Sequence, residues 1–162
     1  MLYAKIAGAF MIFAASILSA LKINKYYDRS AEVTEGILSL LKYIKMKIEL
    51  NRAPLDDILK SFECSALEGE GILKEARERG LMSALEYTMD LRLIDRNEYR
   101  ILKSFTEMLG KGLFEGEKER CALCIKSYGL AANEKRSALQ KKKKIALAVA
   151  ASFAALIIIM LI

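Results

Sequence analysis

Three cysteines are the only thiols in the sequence, and two of them, Cys121 and Cys124, lie three residues apart in Cys-Ala-Leu-Cys, the only metal-like spacing. That spacing puts both thiols on one face of a helix. A zinc site needs about four ligands, but Cys64 stands far off and there is no histidine to complete a set. The same two cysteines open an apolar stripe that continues through Ile125, Tyr128, Ala132 and Leu139. Core packing is therefore their expected role. The lack of histidine also removes Ser-His-Asp, Cys-His and HExxH chemistry. Neither GxGxxG nor GxxxxGK(S/T) occurs, which removes the dinucleotide and Walker-type phosphate sites. No catalytic residue, cofactor or metal is expected, and the protein reads as a non-enzyme.

Carboxylates are plentiful: Asp56 with Asp57, Glu68 with Glu70, and Glu115, Glu117 and Glu119. Asp56 and Asp57 suit the positive end of a helix, as do the three glutamates at the start of the last long helix. Hydrolytic work would need one carboxyl held protonated in a cleft, a property of a fold rather than of spacing. Glu68, Glu70, Glu115 and Glu117 instead become candidate contacts for a basic partner surface, on expected loops at 64–71 and 110–116.

The remaining chemistry is cationic. The 162 residues carry 26 Lys+Arg against 20 Asp+Glu, a net charge of +6. Lys5 and Lys141–Lys144 account for five of these charges, which leaves residues 22–140 at +1. That mixed, nearly neutral middle has no basic face with interleaved aromatics, so no nucleic-acid partner is expected. The excess charge flanks two apolar runs. Ile6–Leu21 and Ile145–Ile162 contain no charged residue over 16 and 18 positions. A bilayer core of about 30 Å needs roughly 20 helical residues, with about 17 as a lower limit. The second run reaches about 27 Å as a helix and has no polar face beyond Ser152. The first resembles a retained anchor more than a cleaved leader, because Leu18 occupies the position where a cut after Ala20 would want a small residue. Lys22, Lys25 and Arg29 follow the first run, and Lys141, Lys142, Lys143 and Lys144 precede the second. Both flanks place the intervening residues on the cytoplasmic side of a membrane, with these basic residues at the interface. Three cysteines without a pairing pattern suit a reducing compartment.

The middle must then be helical. Val33, Ile37, Leu40, Leu41, Ile44 and Ile48 form one stripe at helical spacing. Pro54 opens a second helix with Leu55, Ile58, Leu59 and Phe62 as its buried face. Ile72, Leu73 and Ala76 mark a short helix stopping at Gly80, and Met82, Leu85 and Met89 mark another. Asp95 and Glu98 form a capping-box pattern ahead of Ile101, Leu102, Phe105, Met108 and Leu109. From Glu117 no proline interrupts the chain, so one helix is expected to run from about 117 into the second apolar run. The expected fold is all-α: an antiparallel six-helix cytoplasmic bundle over residues 23–144, with transmembrane helices at 1–22 and 145–162, the latter continuous with the last bundle helix.

Two stretches carry a resemblance to a known family. They are LLKYIKMKIELNRAPLDDIL at 40–59 and LRLIDRNEYRILKSFTEMLGKGLFEGEKERC at 91–121. The break followed by Pro54 and Leu55, and the Leu109-Gly110 pair after an apolar helix, resemble stage III sporulation protein AB. Glu115 and Glu117 stand where that family often has Asp and Gln. The family is similar in fold to the cytoplasmic helical domain of type II secretion and type IV pilus inner-membrane platform proteins. The resemblance implies a structural platform in the mother-cell membrane facing the forespore, part of a secretion-like channel. Its implied partners are membrane lipid, a secretion-type ATPase (stage III sporulation protein AA) and other proteins of the same operon, with self-association open. The alternative readings are a membrane-anchored helical adaptor unrelated to sporulation and a membrane-bound enzyme using the acidic clusters.

Overall fold

The computed structural model describes the backbone of residues 2–51, 54–110 and 114–161. The side chains of residues 2–7, 9, 10, 12, 13, 16, 51, 114, 115, 151, 154, 155 and 157–161 lie outside the description. Among the described residues all regular structure is helical: α1 (Leu2–Asn51), α2 (Leu55–Ser61), α3 (Ser65–Gly69), α4 (Ile72–Arg79), α5 (Leu81–Asp90), α6 (Arg96–Met108) and α7 (Phe114–Leu161). The chain divides into two compact units. One combines Met1–Asp28 with Arg136–Ile162, and the other is Arg29–Lys135.

The core of the central unit follows the apolar spacing. All six residues of the α1 stripe are buried, from Val33 to Ile48. They share one cluster with Ile58, Leu59 and Phe62, with Ile72, Leu73 and Ala76, with Leu102 and Phe105, and with Cys121, Cys124 and Tyr128. Each such large side chain taken out of water contributes roughly 1.5–3 kcal/mol. Within this unit α1 and α7 run antiparallel. Lys135 reaches Thr34 at 2.8 Å and Lys118 reaches Glu49 at 3.6 Å, so later residues of one helix meet earlier residues of the other.

Local signals set the boundaries. Pro54 caps α2, and its carbonyl accepts from the amides of Asp57 and Ile58 at 3.1 and 3.2 Å. Gly80 ends α4 and precedes α5 at φ 89°, a conformation costly for a residue with a Cβ. Gly36 serves a different need. A Cβ there would meet Leu67 Cγ at 3.0 Å and Cys64 Sγ at 3.1 Å, so its bare backbone lets α3 lie close against α1.

Several expectations need correction. The helix expected over 31–50 is not separate from the N-terminal apolar run, because α1 continues without a break through residues 22–30. No Gly or Pro stands between Gly8 and Gly36 to end it. Residues 64–71, expected to be a loop, contain α3. The last helix begins at Phe114 rather than near 117, and the rest of the expected 110–116 loop falls partly on residues 111–113, outside the described ones. Met108, expected in the core, is exposed, and Ala131 rather than Ala132 is the buried alanine of α7. Among the described residues no helix is long and apolar enough to cross a membrane. Much of both apolar runs, where the spans were expected, lies outside the described side chains.

Candidate functional site

The most concentrated polar chemistry lies inside the central unit. Asp95 begins the site as the cap of α6, where its carboxylate accepts from the amides of Asn97 and Glu98 at 2.8 Å each. Glu98 Oε2 accepts in return from the Asp95 amide at 2.8 Å, which completes the capping box. That reciprocal pair fixes Glu98 pointing inward, and its side chain is wholly buried.

Four elements converge on Glu98. Lys135 of α7 donates to Glu98 Oε2 at 2.8 Å, to Thr34 Oγ1 at 2.8 Å and to the Leu93 carbonyl at 2.6 Å. Thr34 of α1 donates to Glu98 Oε1 at 3.0 Å, and the Tyr128 hydroxyl of α7 donates to the same oxygen at 3.4 Å. Ser30 of α1 donates to the Leu93 carbonyl at 2.8 Å. An ammonium has three protons, and the Lys135 ammonium has three acceptors. Burial, followed by the Glu98 carboxylate, holds the Tyr128 phenol well above its ordinary range, so it stays protonated. With its ammonium protons committed and its phenol protonated, the node ties α1, α6, α7 and the α5–α6 connection together. A buried ion pair earns this role only when fully hydrogen-bonded.

The sequence showed the capping box but not the node. The available signal was Lys135 itself, a charged residue on the inward face that carries Cys124, Tyr128 and Ala131.

Glu68 and Glu70 both make ion pairs within the unit. Glu70 takes a two-pronged bond from Arg29, with Nε at 2.6 Å and Nη2 on the second oxygen. The pairing raises the Arg29 pKa further. A candidate interface residue and a candidate partner contact thus meet each other. Glu68 lies 3.5 Å from Arg77 and stays exposed. Arg77 also donates to the carbonyls of Leu59 and Phe62 at 3.0 and 2.7 Å, at the end of α2. Glu117 is half-buried, and its Oε1 has no hydrogen-bond partner among the described residues. Glu115 lies in the first turn of α7, and its side chain is outside the description.

Two of the three thiols lie in the core. Burial pushes Cys121 up to about 11 and Cys124 up to about 12. Both are buried free thiols, and Cys64 is free and half-buried. Among the described residues no group of three metal-ligating side chains forms.

The terminal unit collects the other candidates. Lys22, Lys25, Lys141, Lys142 and Lys144 are exposed, and Lys143 pairs with Asp28. Asp28 is the unit's only acid against eight basic residues, which leaves residues 29–135 one charge negative. The same unit exposes large apolar side chains: Met11 is 73% exposed, Leu18 61%, Leu147 67% and Phe153 57%.

No curated protein and no solved structure matches the chain. The family model of stage III sporulation protein AB matches residues 5–162. The chain therefore belongs to the stage III sporulation protein AB family, and its role is in sporulation.

Proposed function

We propose that the protein is a non-enzymatic membrane platform in the mother-cell-to-forespore channel. Its terminal unit lies in the mother-cell membrane facing the forespore, and residues 29–135 present a docking body for a secretion-type ATPase on the cytoplasmic side. The observation that carries this reading is the make-up of the terminal unit. It exposes bulky apolar side chains on both of its helical segments, and its charge is almost wholly basic. Soluble monomers rarely leave such surface in water. Lysines beside apolar helices favour the anionic cytoplasmic leaflet. Lys22, Lys25 and Lys141–Lys144 lie at headgroup level in this account, and Arg29, bonded to Glu70, belongs to the body.

The docking role is tested by purifying the full chain from sporulating cells in mild detergent. A secretion-type ATPase should co-purify, and a deletion strain should fail to complete spores. Normal sporulation in the deletion strain, with no ATPase recovered, would overturn the reading. Orientation has a separate test. A reporter at the exposed position Lys126→Cys should resist a membrane-impermeant thiol reagent in intact cells and react after permeabilisation. Labelling in intact cells would reverse the topology.

A further inference from the structure

Within the central unit, α6 and α7 leave an open groove of about 380 Å³ between them. Its floor is Ile101, Phe105 and Cys124, and its rims carry Met108 and Leu123, which are 43% and 66% exposed. One turn pair further along α7, Leu130 is 60% exposed. Leu123 and Leu130 are seven residues apart and so lie on one helix face. Most of the large side chains of this unit are buried in the core cluster, whereas this row has no cover.

The charge of the groove is one-sided. Arg100 stands on the α6 rim and Arg120 on the α7 rim, and among the described residues no carboxylate lines the site. Neither arginine forms an ion pair among the described residues. Arg100 donates to Asn97 at 3.1 Å and Arg120 to the Met108 carbonyl at 3.2 Å. The nearby Glu107 already lies 4.0 Å from Lys103. A guanidinium is built for bidentate carboxylate recognition, and an apolar floor between two helices suits the face of a third.

We propose that the α6–α7 groove docks an amphipathic helix of a protein partner, with its apolar face on Ile101, Met108 and Leu123 and its carboxylates on Arg100 and Arg120. This deepens the platform reading and rests on it for the existence of a partner. The groove lies away from Glu68 and Glu70, whose charges are already met by Arg77 and Arg29.

The test uses the full chain in sporulating cells, with a photoreactive benzophenone amino acid in place of Leu123 and the adduct sequenced. The expected adduct is a protein segment with carboxylates three or four residues apart. Its yield should fall at least tenfold when Arg100→Glu and Arg120→Glu are added. Arg100→Gln with Arg120→Gln should give a smaller loss, and unchanged melting temperatures would show that the body still folds. The absence of a protein adduct would overturn the proposal, as would an adduct to lipid or to a second copy of this chain, a segment without carboxylates, or a yield indifferent to charge reversal. If an ATPase co-purifies with the chain but the Leu123 adduct is indifferent to charge reversal, the groove assignment fails and the platform reading stands. If the charge-sensitive adduct forms with a protein that is not an ATPase, the groove stands with that protein as its occupant, and the ATPase reading fails only if no ATPase co-purifies.

Discussion

The two units use the same pair of helices under opposite rules. In the central unit, α1 and α7 turn a stripe of apolar residues inward, from Val33 to Ile48 and from Cys121 to Ala131. Their outward faces carry charges of both signs. In the terminal unit the shielded face continues at helical spacing, through Ala20, Asn24 and Tyr27 on α1 and Leu139, Lys143, Ala146 and Ala150 on α7, but most of the described bulky apolar residues turn outward. Met11, Leu18, Ile145 and Phe153 are exposed, and the charges cluster as lysines. A helix with one apolar stripe needs a protein neighbour, whereas one that is apolar all round needs a larger core or lipid. The difference separates the two units by the surface each leaves exposed, and it is this contrast that the membrane proposal uses.

The largest effect is expected where the central unit hides charge. Lys135→Met would leave the wholly buried Glu98 without its ammonium, at a cost of about 3–5 kcal/mol. The melting temperature of the full chain should drop sharply. Adding Glu98→Gln should recover part of the loss, since a neutral amide is cheaper to bury alone. If the single substitution left the melt unchanged, the node would not be what fastens α1 to α6 and α7.

In the terminal unit the expected change is of location rather than of fold. Leu147→Arg with Phe153→Arg should cost about 2.5–3.5 kcal/mol each towards membrane insertion. The membrane-bound fraction should fall while the melt of residues 29–135 holds. A loss of folding in that body instead would merge the two regions that the comparison separates.

Gly36 probes a close approach of α3 to α1 inside the central unit. Gly36→Leu forces a side chain against Leu67 and Cys64 and should cost about 1–3 kcal/mol by overpacking, read as a lower denaturant midpoint. An unchanged midpoint would mean that α3 moves away freely.

The smallest effect is a pH dependence. Burial raises Cys121 to about 11 and Cys124 to about 12, above the ordinary value of about 8.5. Between these limits the unfolded chain has lost thiol protons that the folded chain keeps. Stability from this source is therefore complete below about pH 8.5 and declines as pH rises towards 11 and 12. Cys121→Ser with Cys124→Ser should flatten the alkaline slope of the melting temperature, and an unaltered slope would contradict the assignment.

Helical periodicity was readable wherever a stripe ran for several turns, as over 33–48 and 101–105. Shorter and longer scales were not. α3 has five residues with Leu67 as its one fully buried side chain, too short a segment for any period to register. The continuity of α1 was obscured by Lys22, Lys25 and Arg29, which mark an interface in sequence but do not interrupt a backbone free of Gly and Pro. The node was hidden by distance. Glu98 and Lys135 lie 37 positions apart, and local spacing shows the cap while a tertiary contact supplies the ion. Glu70 reads as a candidate partner contact for the same reason, since Arg29 reaches it across 41 positions.

The central claim is that the terminal unit is held in lipid while residues 29–135 fold outside it. Alkaline carbonate extraction of membranes containing the full chain tests this most directly. The account predicts that the chain stays with the membrane pellet and that a protease added on the cytoplasmic face releases fragments drawn from residues 29–135. Recovery of the intact chain in the soluble fraction would contradict it.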